Sequence, residues 1–287
     1  MVMNLRTIVA VSVVLFCFSS VFAGIDADKI AAKCKVLTRD KMQGFDRIQF
    51  VFEDCMAWVV EPAKPRQKSS WVWCMEWPTA FQNRTGVKEL LEAGYRWVAF
   101  NPAYGWNKKP VAGNQNDEMV EKRYRFQKFL ISELGLEERC CLVGMSWGGF
   151  YSVRYASIHP ECVKAIYLDA PLLDFSTLSS FKGKSYESLK VFYPNITKDY
   201  VGADDPMQPV SPARAERIAN AKIPVLLIYG AEDTVVPAES NCLRFATAFE
   251  KAGGHIKLWR DNKRGHHPHG LEPGEGDVFV NFFNSAK

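Results

Sequence analysis

From about residue 45 onward, apolar and polar positions form short runs that alternate between a strand period and a helix period. Arg47-Ile48-Gln49-Phe50-Val51-Phe52 alternates polar and apolar residues, as a strand with one wet face does. Met56 to Val60 and Ser70 to Cys74 also read as strands. Val87 to Ala93 reads as a helix ended by Gly94, Tyr95 to Phe100 as a strand, and Asp117 to Leu134 as an amphipathic helix closed by Gly135. Then come a strand at Cys141 to Val143, a helix at Gly148 to Ile158 and a strand at Val163 to Leu168. Pro224 to Tyr229 is a bounded apolar run of the kind that parallel sheets bury on both faces. Ser240 to Ala252 predicts a helix, Ile256 to Trp259 a strand and Asp277 to Phe283 a final helix.

This alternation predicts an α/β fold with a mostly parallel sheet and helices on both faces. One stretch breaks the rhythm. Residues 171–221 carry Ser, Lys, Tyr and Pro with short helical patches and no strand. Such an insertion is expected as a small cap over the carboxyl ends of the strands.

Before the first strand the pattern changes character. Arg6 precedes an apolar run from Ile8 to Phe18, followed by Val21-Phe22-Ala23. A positive residue, a short apolar run and a small residue at the end predict a secretory signal over 1–23, leaving 24–287 as one domain. The run is too short to span a bilayer comfortably, and Phe16 before Cys17 fits a lipoprotein site poorly. The reading is a secreted or periplasmic protein without stable membrane insertion once the signal is removed.

Composition narrows the class. Of the 287 residues, 47% are hydrophobic and 24% charged, which excludes a disordered or fibrous chain. The net charge of +4 is spread among interspersed acids and bases, so no nucleic-acid partner is expected. Composition leaves the oligomeric state open. Beyond Cys17 there are seven cysteines, an odd number; Cys34 and Cys55 flank an apparent hairpin and are the first candidate disulfide pair. No Cys-x-x-Cys or Cys/His spacing points to a metal.

The chemistry concentrates in Gly144-Met145-Ser146-Trp147-Gly148-Gly149, between an apolar strand and a helix. A serine hydroxyl is a weak nucleophile unless exposed, oriented and partnered by a base. A sharp strand-to-helix turn exposes it and requires small neighbours two residues away, as Gly144 and Gly148 are. Gly149 is expected to let the helix approach the sheet. Ser146 is therefore the candidate nucleophile.

A base and an acid should follow in the order acid, histidine. Three of the five histidines lie in Gly265-His266-His267-Pro268-His269-Gly270, after the last predicted strand. No carboxylate or cysteine accompanies them at ligand spacing, which argues against a metal. His266, directly after a glycine, is the candidate base, with His267 and His269 as alternatives; His159 and His255 read as structural. Asp233 follows a buried strand and is the candidate acid, with Asp169 at the alternative location. An oxyanion hole would use the backbone N–H of Trp147 and a second N–H from Glu76 or Trp77, with Trp77 preferred.

Together, the strand order, the GMSWGG elbow, GAEDTVVP and GHHPHG resemble the α/β-hydrolase superfamily. More narrowly they are similar to secreted bacterial esterase-like members with a W-x-W strand and a GHHPHGLE loop. The resemblance covers nearly the whole chain after the signal. It implies an eight-stranded sheet and a Ser–Asp–His mechanism without a cofactor. The sequence departs from those relatives at Trp147, where many have Arg, and at Cys74 in the strand before the oxyanion loop.

These residues lead to an expected serine hydrolase cleaving carboxylic esters, with a small-molecule or glycan ester as partner. Acylated sugars or plant-wall esters would suit aromatic loops such as Asn101 to Trp106. Two other readings are a peptidase of the prolyl-oligopeptidase kind, which usually carries a large N-terminal domain, and a binding protein that kept the fold and lost catalysis.

Overall fold

The structure, a computed structural model, describes residues 27–105, 117–174 and 210–286. The expected signal at 1–23 and residues 175–209 of the expected cap lie outside the described residues.

Among the described residues nine strands form one sheet: β1 (Lys35–Met42), β2 (Phe45–Phe52), β3 (Cys55–Val60), β4 (Trp71–Cys74), β5 (Arg96–Gly105), β6 (Cys140–Met145), β7 (Val163–Asp169), β8 (Val225–Gly230) and β9 (Ile256–Asp261). Their spatial order is β1-β2-β3-β5-β4-β6-β7-β8-β9. β5, β4 and β6 to β9 run parallel, while β1, β2 and β3 are joined in antiparallel pairs and β3 pairs antiparallel with β5. The count is thus nine rather than eight. The additional strand is β1, a mostly exposed edge in which Met42 alone is fully buried. With both faces largely wet, it has no alternation to read.

The helices are α1 (Ala27–Lys33), α2 (Val87–Glu92), α3 (Asp117–Leu134), α4 (Trp147–Ile158), α5 (Pro212–Asn220), α6 (Arg244–Lys251) and α7 (Asp277–Ser285). A π-helical turn, Glu239–Leu243, leads into α6.

Both faces of the central strands are buried, which is why they read as continuous apolar runs. Trp71, Trp73, Leu142, Val225 and Leu227 point into one core with Phe126, Phe150, Ile218 and Phe249 from α3 to α6. Val72, Cys74, Val143, Leu226 and Ile228 point the other way, onto Leu90 and Leu91 of α2 and Phe279 and Phe283 of α7. The period of two sends alternate residues to opposite layers.

Two expectations change. Leu172, Leu173, Val210, Ala215 and Ile218 are fully buried in the first core, so both ends of the 171–221 interval belong to the main body. The described cysteines, Cys34 and Cys55 among them, are free thiols. β2 lies between those two, since Lys35 pairs with Val51 and Phe52 with Cys55. Two strand spacings, about 9.5 Å, exceed the reach of a disulfide.

Candidate active site

Ser146 stands between the last residue of β6 and the first of α4, with φ 48° and ψ −116°. A positive φ at a serine is strained and persists only where surroundings hold it. Here the Ser146 N–H donates to Asp169 O at 3.0 Å, and its carbonyl accepts the N–H groups of Gly149 and Leu172, each at 2.9 Å. The turn also needs close approach. A Cβ on Gly144 would lie 2.6 Å from Ser152 Oγ and 2.7 Å from Gly148 O. A Cβ on Gly149 would overlap Pro171, so this glycine admits the segment leaving β7 rather than the sheet itself.

Parallel strands emerge at the same edge, which brings three distant segments to Ser146. Asp233 follows β8, and His266 lies on the loop after β9. His266 Nε2 is 3.1 Å from Ser146 Oγ, and its Nδ1 is 2.8 Å from Asp233 Oδ2. With Nδ1–H given to the carboxylate, Nε2 carries the lone pair that faces the serine. The other oxygen of Asp233 accepts the N–H groups of Val235 and Val236 at 2.9 and 2.8 Å. Burial pushes this carboxyl up, but the bonds from His266 and those two amides outweigh it and hold its pKa below the ordinary value.

Asp169 does not meet His266. Fully buried, it accepts from Tyr167 OH at 2.7 Å, His269 Nδ1 at 2.8 Å and Gly270 N–H at 2.8 Å, and pairs with Arg264 at 3.3 Å. Desolvation opposes its charge, yet His269, Arg264 and Tyr167 together keep its pKa lowered. Arg264 also donates to Gly270 O at 2.8 Å. The alternative acid and one alternative base thus form a second pair that braces the histidine loop. Arg264 was invisible to sequence reasoning, because its buried partner lies 95 residues away in the chain.

His267 points outward and stacks on Phe81, with ring centroids 5.6 Å apart. Burial of part of its ring, with the neighbouring His266 and His269, lowers its pKa. Ligand atoms of His266, His267 and His269 lie within 4.8 Å of one another.

Trp147 opens α4, where N–H groups have no acceptor within the helix and the dipole favours negative charge. Trp77 has φ 56° and is 42% exposed. Its loop abuts the elbow, since a Cβ on Gly148 would lie 3.3 Å from Glu76 N. Glu76 is buried; desolvation raises its carboxyl to about 7 against the pull of Arg123 and of the Trp77 N–H, which it accepts. A groove of about 850 Å³ between α5 and α6 contains none of these residues.

A strained serine at a strand-to-helix turn, a histidine on its hydroxyl and a carboxylate behind that histidine thus meet at one edge of an α/β sheet. The comparisons agree on the fold. A putative dipeptidyl aminopeptidase IV from Bacteroides ovatus superposes with TM-score 0.62 at 15% identity, over 88% of this chain and 36% of that one. An acylaminoacyl peptidase from Pyrococcus horikoshii gives 0.59 at 16% identity, over 88% and 41%. An S-formylglutathione hydrolase from Agrobacterium tumefaciens gives 0.59 at 15% identity, over 87% and 96%. The fold is that of the α/β-hydrolases. The model of the prolyl oligopeptidase family matches residues 108–277, more than half of the sequence, and the chain belongs to that family. It spans about two fifths of the two peptidase structures. No curated protein matches it in sequence.

Proposed function

We propose that this serine hydrolase cleaves carboxylic esters through an acyl-enzyme, with Ser146 as nucleophile, His266 as base and Asp233 as the acid that orients it. One observation carries the reading: a single imidazole bridges Ser146 Oγ at 3.1 Å and Asp233 Oδ2 at 2.8 Å. Ser146 Oγ attacks the ester carbonyl carbon while its proton passes to His266 Nε2. The carbon–oxygen bond then breaks, and the alcohol leaves with that proton. Water repeats the sequence on the acyl group, again through His266, and restores the serine. Asp233, kept ionised, stabilises the imidazolium formed in both halves. The oxyanion is held by the N–H groups of Trp147 and Trp77.

The leader-like residues 1–23 support a secreted or periplasmic enzyme, and a small-molecule or glycan ester is the substrate class we favour. Ester cleavage fits a site that need protonate only an alkoxide. A peptidase reading is favoured by the family itself and by the two peptidases that share the fold.

A panel of aryl esters, acetylated sugars and aminoacyl amides separates the two. Esters should turn over faster than amides, and the reverse order would establish the peptidase. Ser146→Ala and His266→Ala should each cost on the order of 10⁴-fold in rate, whereas His267→Ala should cost little. Retention of more than a few per cent of activity by Ser146→Ala, or a dead His267→Ala, would overturn the assignment.

A further inference from the structure

We propose that His266, His267 and His269 form a binding site for one divalent transition-metal ion of the zinc type, and that its occupancy switches off Ser146. The three side chains each offer a nitrogen, all within 4.8 Å of one another. Zinc binds imidazole nitrogen at about 2.0–2.1 Å in a tetrahedron, so three ligands of one ion sit roughly 3.4 Å apart. Binding one ion would need the rings to turn enough to close a gap of up to about 1.4 Å, with water in the fourth position.

Two of the imidazoles are already arranged as ligands. A metal-bound histidine usually gives its other ring N–H to a carboxylate, which fixes the tautomer and raises the donor strength of the free nitrogen. His266 Nδ1 is on Asp233 at 2.8 Å and His269 Nδ1 is on Asp169 at 2.8 Å. Both therefore present Nε2 with its lone pair. The Nε2 of His269 is buried without a hydrogen-bond partner among the described residues, in a side chain 2% exposed. A buried lone pair without a donor costs free energy that a metal ion would recover. The exposed His267 supplies the third nitrogen and a route from solvent. An all-imidazole set suits zinc, copper or nickel and excludes magnesium and calcium.

The sequence argued against a metal because no carboxylate stands near the histidines at ligand spacing. The fold brings in two, one from the end of β7 and one from the loop after β8, and places them behind the rings rather than on the ion.

The inhibitory half of the proposal rests on the hydrolase reading; the binding half does not. The lone pair of His266 Nε2 is the one that accepts the Ser146 proton, and coordination would occupy it. The bond to Ser146 Oγ would then be lost and the hydroxyl would lack a base.

The test uses the full chain as wild type, Ser146→Ala and His267→Ala, with zinc chloride as the probe. Titration calorimetry should give one zinc per chain for wild type and for Ser146→Ala, with affinity at least about tenfold weaker in His267→Ala. Saturating zinc should slow labelling of wild type by a fluorophosphonate at least about tenfold, and EDTA should restore it. Without metal His267→Ala should label at the wild-type rate, and at the zinc concentration that slows wild type tenfold it should keep at least about half of that rate. No stoichiometric zinc, unchanged affinity in His267→Ala, or full-rate labelling of the zinc-saturated wild type would overturn the proposal. Zinc binding by Ser146→Ala, with no labelling of metal-free wild type, would support the site and overturn the hydrolase reading instead.

Discussion

Glu76 illustrates how a single residue next to the chemistry can act against stability. Its carboxyl lies buried beside the elbow, and desolvation raises it from the ordinary 4.5 to about 7. A carboxyl whose pKa is higher folded than unfolded contributes stability below its unfolded value, and that contribution is lost as pH rises through the folded one. Between pH 5 and pH 8 wild type should therefore lose up to about 3 kcal/mol at this position. Glu76→Gln should match wild type in melting temperature near pH 4 and exceed it at pH 8. An equal difference at both pH values would show that the carboxyl does not titrate in that window. At this scale the sequence marked Ser146, Asp233 and His266 as candidates, because each sits at a distinctive point: a Gly-x-Ser-x-Gly turn, the end of an apolar run, a glycine-flanked histidine. The burial of Glu76 and the partnership of Asp169 with His269 and Arg264 had no such mark. Both depend on what lies across space.

Among the elements, β8 and the histidine loop depend on one close approach. Gly230 ends the strand, and a Cβ there would overlap the backbone oxygens of Arg264 and Gly265. Backbone cannot yield as a flexible side-chain tip can, so Gly230→Ala should cost about 1–3 kcal/mol in stability and displace His266. Chemical denaturation and the rate of fluorophosphonate labelling should both fall together. Unchanged values for both would mean the loop moves freely against the strand. Strands with a buried face were legible from periodicity, since burial on alternate or on both sides leaves a readable pattern. β1 was not legible, because an edge with two wet faces has no such pattern. The Cys34–Cys55 pairing failed for a related reason: a hairpin read along the chain does not show that β2 lies between the two thiols.

For the whole molecule, the 171–221 interval matters most, because it joins the sheet to the nucleophile. Leu172 N–H donates to Ser146 O at 2.9 Å, and the N–H groups of Leu173 and Asp174 both reach Asn241 Oδ1 at 2.8 and 2.7 Å. Val210 N–H donates to Leu173 O at 3.0 Å, so the chain returns beside the point where it left. A short glycine-serine linker replacing 175–209 can therefore join those ends. The shortened chain should fold by circular dichroism and label at Ser146, with an altered preference among esters. A folded chain that no longer labels would place that segment in the catalytic machinery. The sequence by itself determined the alternation of strands and helices, the parallel sheet and the three segments able to carry nucleophile, acid and base. Local periodicity and turn chemistry encode those features within a few residues. Only the tertiary structure decided which histidine meets the serine, which aspartate meets which histidine, and that three imidazoles share one small volume. Those pairings arise where parallel strands release their loops at one edge of the sheet, between residues up to 120 positions apart.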